Sequence, residues 1–497
     1  MPKQGKCPRR RIEVLMKQFE GESLTTDGVV LTCKLCEKVV NSEKKYFVQQ
    51  HLNSNSHRER KQRSAKENQN ICLLSNFVKL SNKESSFHMD LCQMLVESNI
   101  PLYKVQDSSF RTFMQKYCKI PTPDHTKLRK TYLKKLYDAT VQRIREAVGE
   151  KRIWVSVDET TDVKGQYVVN TIVGALSPEE PSTPWLIGSE IVERTNHASI
   201  AQAFCNSLSL LWPGGIKHDK VLLFVSDAAP YMKKAGAGLK VLFPKMIHLT
   251  CLAHAIHRVC EEIRVSFPEV DCLIANVKKV FLKAPSRVRV FRESAPDVAL
   301  PPEPIVTRWG TWISAAMYYA ANLEDIKRVL EQLDGNEAAA IGKSQDLVSD
   351  PVLKCRLTFI ASNFATLPDS ITKLESTKQL LGTTIRVVEE LRQHIDSAKG
   401  PIATSIQNKF QRVIRLNAGY DVLRKIQDTL QGGTLHAELS EYSASELLDF
   451  KYAPIASVDV ERSFSRYKAL LSDRRYSLTP ENLKYHIIPM CNAFVTE

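Results

Sequence analysis

The sequence WVSVDETTD at residues 154–162 begins with the apolar run of a buried strand, and that run ends at the acid Asp158. A second apolar run, LLFVSD at residues 222–227, ends in the same way at Asp227, and Glu461 lies much later in a segment with helical spacing. Hard divalent cations such as Mg²⁺ take carboxylate oxygens as ligands, and a two-metal phosphoryl-transfer site needs several of them together. If these three carboxylates meet in space, we expect a site that cuts or joins DNA strands.

From residue 150 the hydrophobic period changes from that of helices to that of strands. Apolar runs at 153–157, 167–175 and 185–192, with turn residues between them, predict three successive strands. A helix is predicted next, at 196–211. It is followed by a strand at 221–225 with a helix from 230, and then by a strand at 246–249 with a helix from 251. The order β-β-β-α-β-α-β-α is that of an RNase H-like core, in which the first and fourth strands carry adjacent carboxylates. Asp158 and Asp227 occupy those two places.

The composition is that of an ordinary globular protein. The chain has 497 residues, of which 43% are hydrophobic and 25% charged, enough for roughly two to four domains. No apolar run approaches the roughly 18 residues of a membrane span, and the basic first dozen residues lack the apolar stretch of a secretory signal. Twelve cysteines are too sparse for a disulfide framework, so we expect a reducing compartment.

Positive charge is concentrated at the N-terminus. The net charge is +14, and the first 70 residues contain fifteen Lys and Arg against eight Asp and Glu. Such a patch suits a polyanion, because neutralised phosphates release counterions, although a merely solvated face is an equal alternative. The basic runs at 8–11 and 58–63 could serve nuclear import, which would place the protein in the nucleus, with chance solvated clusters as an equal alternative.

Residues 28–57 contain two cysteines and two histidines with the spacing of a zinc site. The pattern is C-x2-C-x14-H-x5-H, formed by Cys33, Cys36, His51 and His57. Two thiolates and two imidazoles can close a tetrahedron around Zn²⁺, so we predict one zinc ion here rather than core cysteines near surface histidines. The apolar positions predicted to form the core of this finger are Val29, Leu31, Phe47 and Leu52.

The remaining segments complete a multidomain α/β chain. Residues 64–70 are polar and predict a linker, and residues 126–148 predict a long amphipathic helix whose basic face either lies on DNA or is solvated. The predicted fold is an RNase H-like mixed-sheet core, interrupted by an all-α insertion and preceded by a small zinc finger and a helical domain. The predicted domains are a basic N-terminal tail (1–27), a C2H2 zinc finger (28–63), a helical DNA-binding or dimerisation region (73–148), the first part of the core (150–270), the helical insertion (271–450) and the last core helices with a dimerisation region (451–497).

Five phrases, in this order, resemble the motifs of the hAT superfamily of DNA transposases, which have an RNase H-like DDE core. They are VDETTD (157–162), SDAAPYM (226–232), CLAH (251–254), TRW (307–309) and VERSFS (460–465). The finger is similar to the BED type that is common in that family, and residues 29–135 also resemble the CGG-triplet-repeat-binding proteins. The helical insertion is small for the superfamily, in whose members it helps to hold transposon ends and to assemble oligomers.

The resemblance implies a catalytic role for the three carboxylates. Asp158, Asp227 and Glu461 would hold two Mg²⁺ or Mn²⁺ ions, which activate water for the first cut and then a hydroxyl end for hairpin closure and strand transfer. The substrates implied are double-stranded DNA with terminal inverted repeats and a target DNA. The protein implied is a homodimer or higher homo-oligomer that has no membrane partner.

The resemblance also implies supporting residues. Trp309 would stack on a base extruded from the duplex, and Arg308 would contact the adjacent phosphate. His254 would shape the site or shuttle protons, with Cys251 packed behind it. Two alternatives stay open at this point, namely that Trp309 belongs to a helical core and that His254 is a satisfied buried histidine.

Three functions are compatible with the sequence. The first is a DNA transposase, favoured because the three acids and the tryptophan are all present. The second is a domesticated, non-catalytic, sequence-specific DNA-binding transcriptional regulator that keeps the finger and the dimer. The third, a zinc-dependent adaptor without DNA binding, leaves the basic N-terminus unexplained.

Overall fold

The structure, a computed structural model, describes the backbone of residues 8–305, 310–471 and 478–493, and the side chains of these residues except 8 and 65–84. The chain divides into two compact units, one of Met1–Asp90 with Thr112–Thr122 and one of Leu91–Arg111 with Pro123–Glu497. Among the described residues, no helix is both long enough and apolar enough to cross a bilayer.

The N-terminal unit is built on a three-stranded antiparallel sheet of order β1-β2-β3. Its elements are α1 (Pro8–Gln18), β1 (Leu24–Thr26), β2 (Leu31–Cys33), β3 (Lys38–Val40), α2 (Lys45–Asn53) and the beginning of α3 (Asn55–Glu97). Leu31 and Val48 are fully buried in its core. Val29, predicted to belong to this core, is 76% exposed, because it lies in the turn between β1 and β2 where Asp27 Oδ1 accepts from its backbone N–H.

Two predictions for this unit were wrong. Residues 8–18 form helix α1 rather than a tail, and Ile12 and Leu15 from its apolar face pack into the core of the finger. The stretch 64–70, predicted as a linker, lies within the continuous helix α3. A run of polar residues without Gly or Pro has no helix breaker, so polarity alone did not indicate a chain break.

Helical segments lead from α3 to the central sheet. They are α4 (Ser108–Tyr117), α5 (His125–Lys127), a π-helical turn (Leu128–Tyr132) and α6 (Leu133–Val148). The predicted amphipathic pattern over 126–148 is confirmed, since the apolar face is buried and the basic face is exposed. The exposed cations are Lys127, Arg129, Lys130, Lys134 and Lys135.

The C-terminal unit contains a mixed sheet of order β6-β5-β4-β7-β8. The elements that form it and connect its strands are β4 (Arg152–Thr161), β5 (Tyr167–Leu176), β6 (Trp185–Val192), α7 (His197–Leu211), β7 (Val221–Ser226), α8 (Pro230–Leu242), β8 (Ile247–Thr250) and α9 (Leu252–Ser266). Strands β4, β5 and β6 pair antiparallel, whereas β7 and β8 run parallel to β4. The five predicted strands and the helices between them are confirmed, because continuous apolar runs of this length are typical of strands buried on both faces.

Helix α8 lies unusually close to strand β8. The contact point is Gly236, where a Cβ atom would lie 2.2 Å from Nδ1 of His248. The His248 ring stacks on Phe224 with ring centroids 4.8 Å apart, and its Nε2 lies 2.9 Å from Ser226 Oγ. Only glycine permits this approach without displacing the ring.

Helices fill the rest of the unit, as the sequence pattern predicted. They are α10 (Pro268–Phe281), α11 (Pro285–Ser294), α12 (Thr311–Glu331), α13 (Ala339–Ser349), α14 (Pro351–Phe364), α15 (Leu367–Glu375), α16 (Leu381–Ser397), α17 (Pro401–Arg415), α18 (Ala418–Leu430), α19 (Ala444–Asp449), α20 (Val458–Leu470) and α21 (Pro480–Asn492). Helix α20 packs across β4 and β5, and α21 packs against β6 and α6.

Two asparagine amides bind the outer strands of the sheet. Asn417 Oδ1 accepts from Thr250 N at 3.1 Å and its Nδ2 donates to Thr250 O at 2.6 Å, so the amide satisfies both backbone groups of that residue in β8. Asn492 does the same in β6, where Leu186 N donates to Oδ1 at 3.0 Å and Leu186 O accepts from Nδ2 at 2.9 Å. Each side chain therefore imitates one residue of a neighbouring strand.

Candidate active site and zinc centre

The parallel pairing of β4 with β7 places Asp158 and Asp227 at the same edge of the sheet. In the register, Ser156 pairs with Val225, and each aspartate follows two residues later. Asp158 is 6% exposed, whereas Asp227 is half-buried just beyond the end of β7, where its Oδ1 accepts from the backbone N–H of Ala229 at 3.1 Å.

Glu461 reaches this edge from the first turn of helix α20. Its carboxylate lies close enough to Asp158 for its charge to raise the pKa of that acid, and its Oε1 lies 3.5 Å from Nε2 of His254. The structure thus brings together three acids, of which the first and the last, Asp158 and Glu461, are 303 residues apart in the sequence. Carboxylate oxygens are the ligands that hard divalent cations prefer.

The electrostatics of this cluster are unfavourable without a cation. Burial, followed by the charges of Glu461 and Asp227, raises the pKa of Asp158 well above its ordinary value. Burial and the charge of Asp227 raise the pKa of Glu159 to about 7. Like charges that share a desolvated site disfavour ionisation, and a bound dication reverses that balance.

Glu159 is a fourth carboxylate beside these acids, since the charge of Asp227 contributes to its raised pKa. Its Oε1 accepts a hydrogen bond from the Tyr231 hydroxyl in the first turn of α8. Its Oε2 is buried and, among the described residues, has no hydrogen-bond partner. Its place directly after Asp158 in strand β4 was the available signal.

Cys251 and His254 connect strand β8 to helix α20. The buried Cys251 sulfur accepts from the backbone N–H of Ser457 at 3.2 Å. Burial lowers the pKa of His254, but the hydrogen bond and charge of Cys251, with the charge of Glu461, outweigh burial and raise it. Burial raises the pKa of Cys251, but the hydrogen bond and charge of His254 outweigh it and lower that pKa. His254 is therefore a half-buried member of the acid cluster, and Cys251 packs behind it.

The predicted nucleic-acid contacts Arg308 and Trp309 lie outside the described residues. The neighbouring Trp312 is 5% exposed and donates its indole N–H to Asp271 Oδ1 at 2.9 Å. Asp271 also accepts from Arg264 Nε at 2.8 Å, so Trp312 is a core residue of the helical region.

The four predicted zinc ligands meet in the N-terminal unit. The candidate ligand atoms of Cys33, Cys36, His51 and His57 all lie within 4.8 Å of one another. Nδ1 of His57 lies 3.4 Å from both sulfurs. Two ligands of one tetrahedral zinc ion, with bonds of about 2.3 Å to sulfur and about 2.0 Å to nitrogen, are about 3.6 Å apart. The group is therefore consistent with a zinc finger.

The protonation states around this group also fit a cation. Burial, followed by the charges of His57 and Lys38, lowers the pKa of His51 and favours the neutral imidazole that binds zinc. Burial and the neighbouring Cys33 raise the pKa of Cys36, a cost that a bound dication removes.

Two family models match the chain. Residues 11–63 match the CGGBP1 N-terminal domain, and residues 123–284 match a domain of unknown function, DUF659. The first match covers helix α1 and the finger, and the second covers α6, the whole mixed sheet and helices α7 to α10.

Two curated relatives match over a quarter of the chain. CGG triplet repeat-binding protein 1 of Mus musculus is 32% identical over 133 residues, which are 24% of this chain and 77% of the relative. The Homo sapiens protein of the same name is 33% identical over 134 residues, again 24% of this chain and 77% of the relative. The chain therefore belongs to the family of the CGG triplet repeat-binding proteins, and it resembles the hAT-superfamily transposases over its DUF659 region.

Proposed function

We propose that this protein is a DNA transposase of the hAT type, which cleaves DNA and transfers strands through Asp158, Asp227 and Glu461. The observation that carries this proposal is the meeting of the three acids at one edge of the sheet, where β4 and β7 pair in parallel and Glu461 lies beside His254. Structural ion pairs normally join opposite charges, whereas this cluster buries like charges. Perturbed carboxylates in such a cluster are typical of functional sites.

We further propose that the core is RNase H-like. Three antiparallel strands followed by two parallel ones, in the order β6-β5-β4-β7-β8, support this assignment. Two of the acids come from the central strand β4 and from the end of the adjacent strand β7, and the third comes from a late helix. The helices α10 to α19 would then be the insertion (271–450), and residues 451–497 would return the chain to the core and to a dimerisation region.

The residues divide the work of the reaction. Asp158, Asp227 and Glu461 would bind two Mg²⁺ or Mn²⁺ ions, which supply the Lewis acidity for in-line attack on a phosphodiester, first by water and then by a hydroxyl end that closes a hairpin on the flanking DNA or joins the target. His254 would hold or move a proton beside Glu461, and Cys251 would fix the start of helix α20. Arg308 and Trp309 are proposed to contact the phosphate and the extruded base.

DNA binding is proposed for the N-terminal half. Zinc held by Cys33, Cys36, His51 and His57 would fix the finger (28–63), and the region 73–148 would add the exposed cations of its basic face. The matched relatives are named for binding a CGG triplet repeat, which supports a double-stranded DNA partner. A nuclear location and a homodimer or higher homo-oligomer follow from the same proposal.

The genomic DNA on both sides of the coding region supplies the substrate for the test. Terminal inverted repeats bounded by a short direct duplication would provide a duplex for cleavage with and without Mg²⁺. We expect metal-dependent nicking by the wild type, loss with Asp158→Asn, and wild-type activity with Asp219→Asn, an exposed acid at the opposite end of β7. Metal-dependent nicking that survives Asp158→Asn would refute the assignment.

A second candidate function is a domesticated, sequence-specific DNA-binding regulator without catalysis. The match that favours it covers 77% of a relative whose name describes binding of a CGG triplet repeat and no reaction. Selection of duplexes from a random library, with a CGG-repeat duplex as a defined probe, separates the two functions. Specific binding unaffected by Asp158→Asn, together with flanks that lack inverted repeats and no nicking, would favour the regulator.

A further inference from the structure

Asn170 is an unusual residue for its place in the sheet. It lies in the middle of strand β5, whose sequence YVVNTIVGAL is otherwise mostly apolar, and it is fully buried. Asparagine is depleted in strands, and burying an amide has a cost unless its hydrogen bonds are satisfied. A position that breaks the local rule without a packing gain is often a functional one.

Asn170 stands beside the buried acid of the proposed active site. In the antiparallel register of β4 and β5, Asn170 pairs directly with Asp158. Directly paired residues point to the same face of a sheet, with Cβ atoms about 4.5–5.5 Å apart. The amide therefore lies on the face that helix α20 covers.

The hydrogen bonds of Asn170 define its orientation. Ser463 Oγ donates to Val460 O at 2.6 Å, so it is left to accept from Asn170 Nδ2, which lies 2.8 Å away. The opposite amide orientation would set two acceptors against each other. Oδ1 of Asn170 is buried and has no hydrogen-bond partner among the described residues, so the amide is retained despite one unsatisfied atom.

We infer that Asn170 is a positioning residue, which holds helix α20 against strand β5 so that Glu461 faces Asp158. Ser463 follows Glu461 by two residues on α20, and the start of the same helix is held by the bond from Ser457 N to Cys251 Sγ at 3.2 Å. Like charges on Asp158 and Glu461 push the helix away from the sheet, and the bond between Asn170 and Ser463 opposes that displacement directly. This inference rests on the proposed function, because the bond between Asn170 and Ser463 is assigned to the assembly of the proposed active site.

Binding of Mn²⁺ to the full-length, zinc-loaded protein, measured by isothermal titration calorimetry, tests the inference without a DNA substrate. The variants are Asn170→Leu, Ser463→Ala and their combination, with Ser463→Thr as the version that keeps the hydroxyl. Ser344→Ala is the matched control, since Ser344 is also fully buried in a helix and donates to a backbone carbonyl at 2.6 Å. Asp158→Asn identifies the heat that belongs to the acid site.

We expect Asn170→Leu and Ser463→Ala each to weaken Mn²⁺ binding roughly tenfold, as changes to residues that orient metal ligands do. The double variant should be no weaker than either single variant, and Ser463→Thr and Ser344→Ala should bind like the wild type. Wild-type Mn²⁺ affinity in both Asn170→Leu and Ser463→Ala, together with loss in Asp158→Asn, would overturn the inference alone. Absence of any Mn²⁺ binding that depends on Asp158 would overturn the proposed function and the inference with it.

Discussion

Gly236→Ala should destabilise the protein, whereas Gly238→Ala, two residues further along helix α8, should stabilise it. A Cβ at Gly236 would lie 2.2 Å from His248 Nδ1, while a Cβ at Gly238 would meet no described atom within 4 Å. The His248 ring cannot yield easily, since it stacks on Phe224 and hydrogen bonds Ser226 Oγ. Relief of the clash therefore requires α8 to move away from β8.

The two substitutions share a favourable gain in helix propensity and differ in the cost of overpacking. Alanine gains about 1 kcal/mol over glycine in a helix interior at either position. At Gly236 this gain is opposed by overpacking, which typically costs about 1–3 kcal/mol, and the upper end applies because a contact of this kind normally needs about 3.5 Å. We expect Gly238→Ala to raise the free energy of unfolding by about 1 kcal/mol and Gly236→Ala to lower it by about 2 kcal/mol.

Urea unfolding of the full chain, followed by far-ultraviolet circular dichroism, measures this difference of about 3 kcal/mol. Because the chain has two compact units, it need not unfold in one step. The free energies are therefore taken from the unfolding transition that the two substitutions shift. Equal free energies of unfolding for the two variants would refute the close approach of α8 to β8.

Three further outcomes are expected. Burial, followed by the charge of Lys233, lowers the pKa of His248 from 6.5 to about 4. As the pH falls, the unfolded chain therefore binds a proton at this histidine before the folded chain does. The free energy of unfolding should fall by about 3 kcal/mol between about pH 6.5 and pH 4. His248→Gln should flatten that pH profile in urea titrations, and an unchanged slope would contradict a neutral buried ring. Cys33→Ser should abolish retention of one zinc ion per chain, measured by chelator release, whereas Cys118→Ser, at an exposed cysteine of the same unit, should retain it. Asp158→Asn should stabilise the metal-free protein by about 1 kcal/mol, because it removes one of several buried carboxylates of like charge. The same substitution should abolish the rise in melting temperature on adding Mg²⁺. A lower melting temperature of this variant without metal would argue against repulsion among the three acids.

The central sheet was predictable because its signals are local. The apolar runs before Asp158 and Asp227 are too continuous for half-exposed strands and too short for buried helices. Glu461 could be placed beside them only through the motif resemblance, since nothing local in a helical segment indicates which distant strand it meets.

The errors and omissions have separate physical causes. Helix α1 was missed although Ile12, Leu15 and Phe19 have helical spacing, because the charge of the same segment suggested a tail. The role of Asn170 could not be predicted from the sequence, because it depends on the cross-strand register and on contact with a helix almost 300 residues later.

The amides of Asn417 and Asn492 limit how copies of this chain can associate. Proteins that assemble by strand addition use the free N–H and C=O groups along the outer strand of a sheet. At Thr250 and at Leu186 those groups are already bound within the chain. A second chain therefore cannot continue the sheet across either residue, so each outer strand carries a built-in interruption to strand addition at that point.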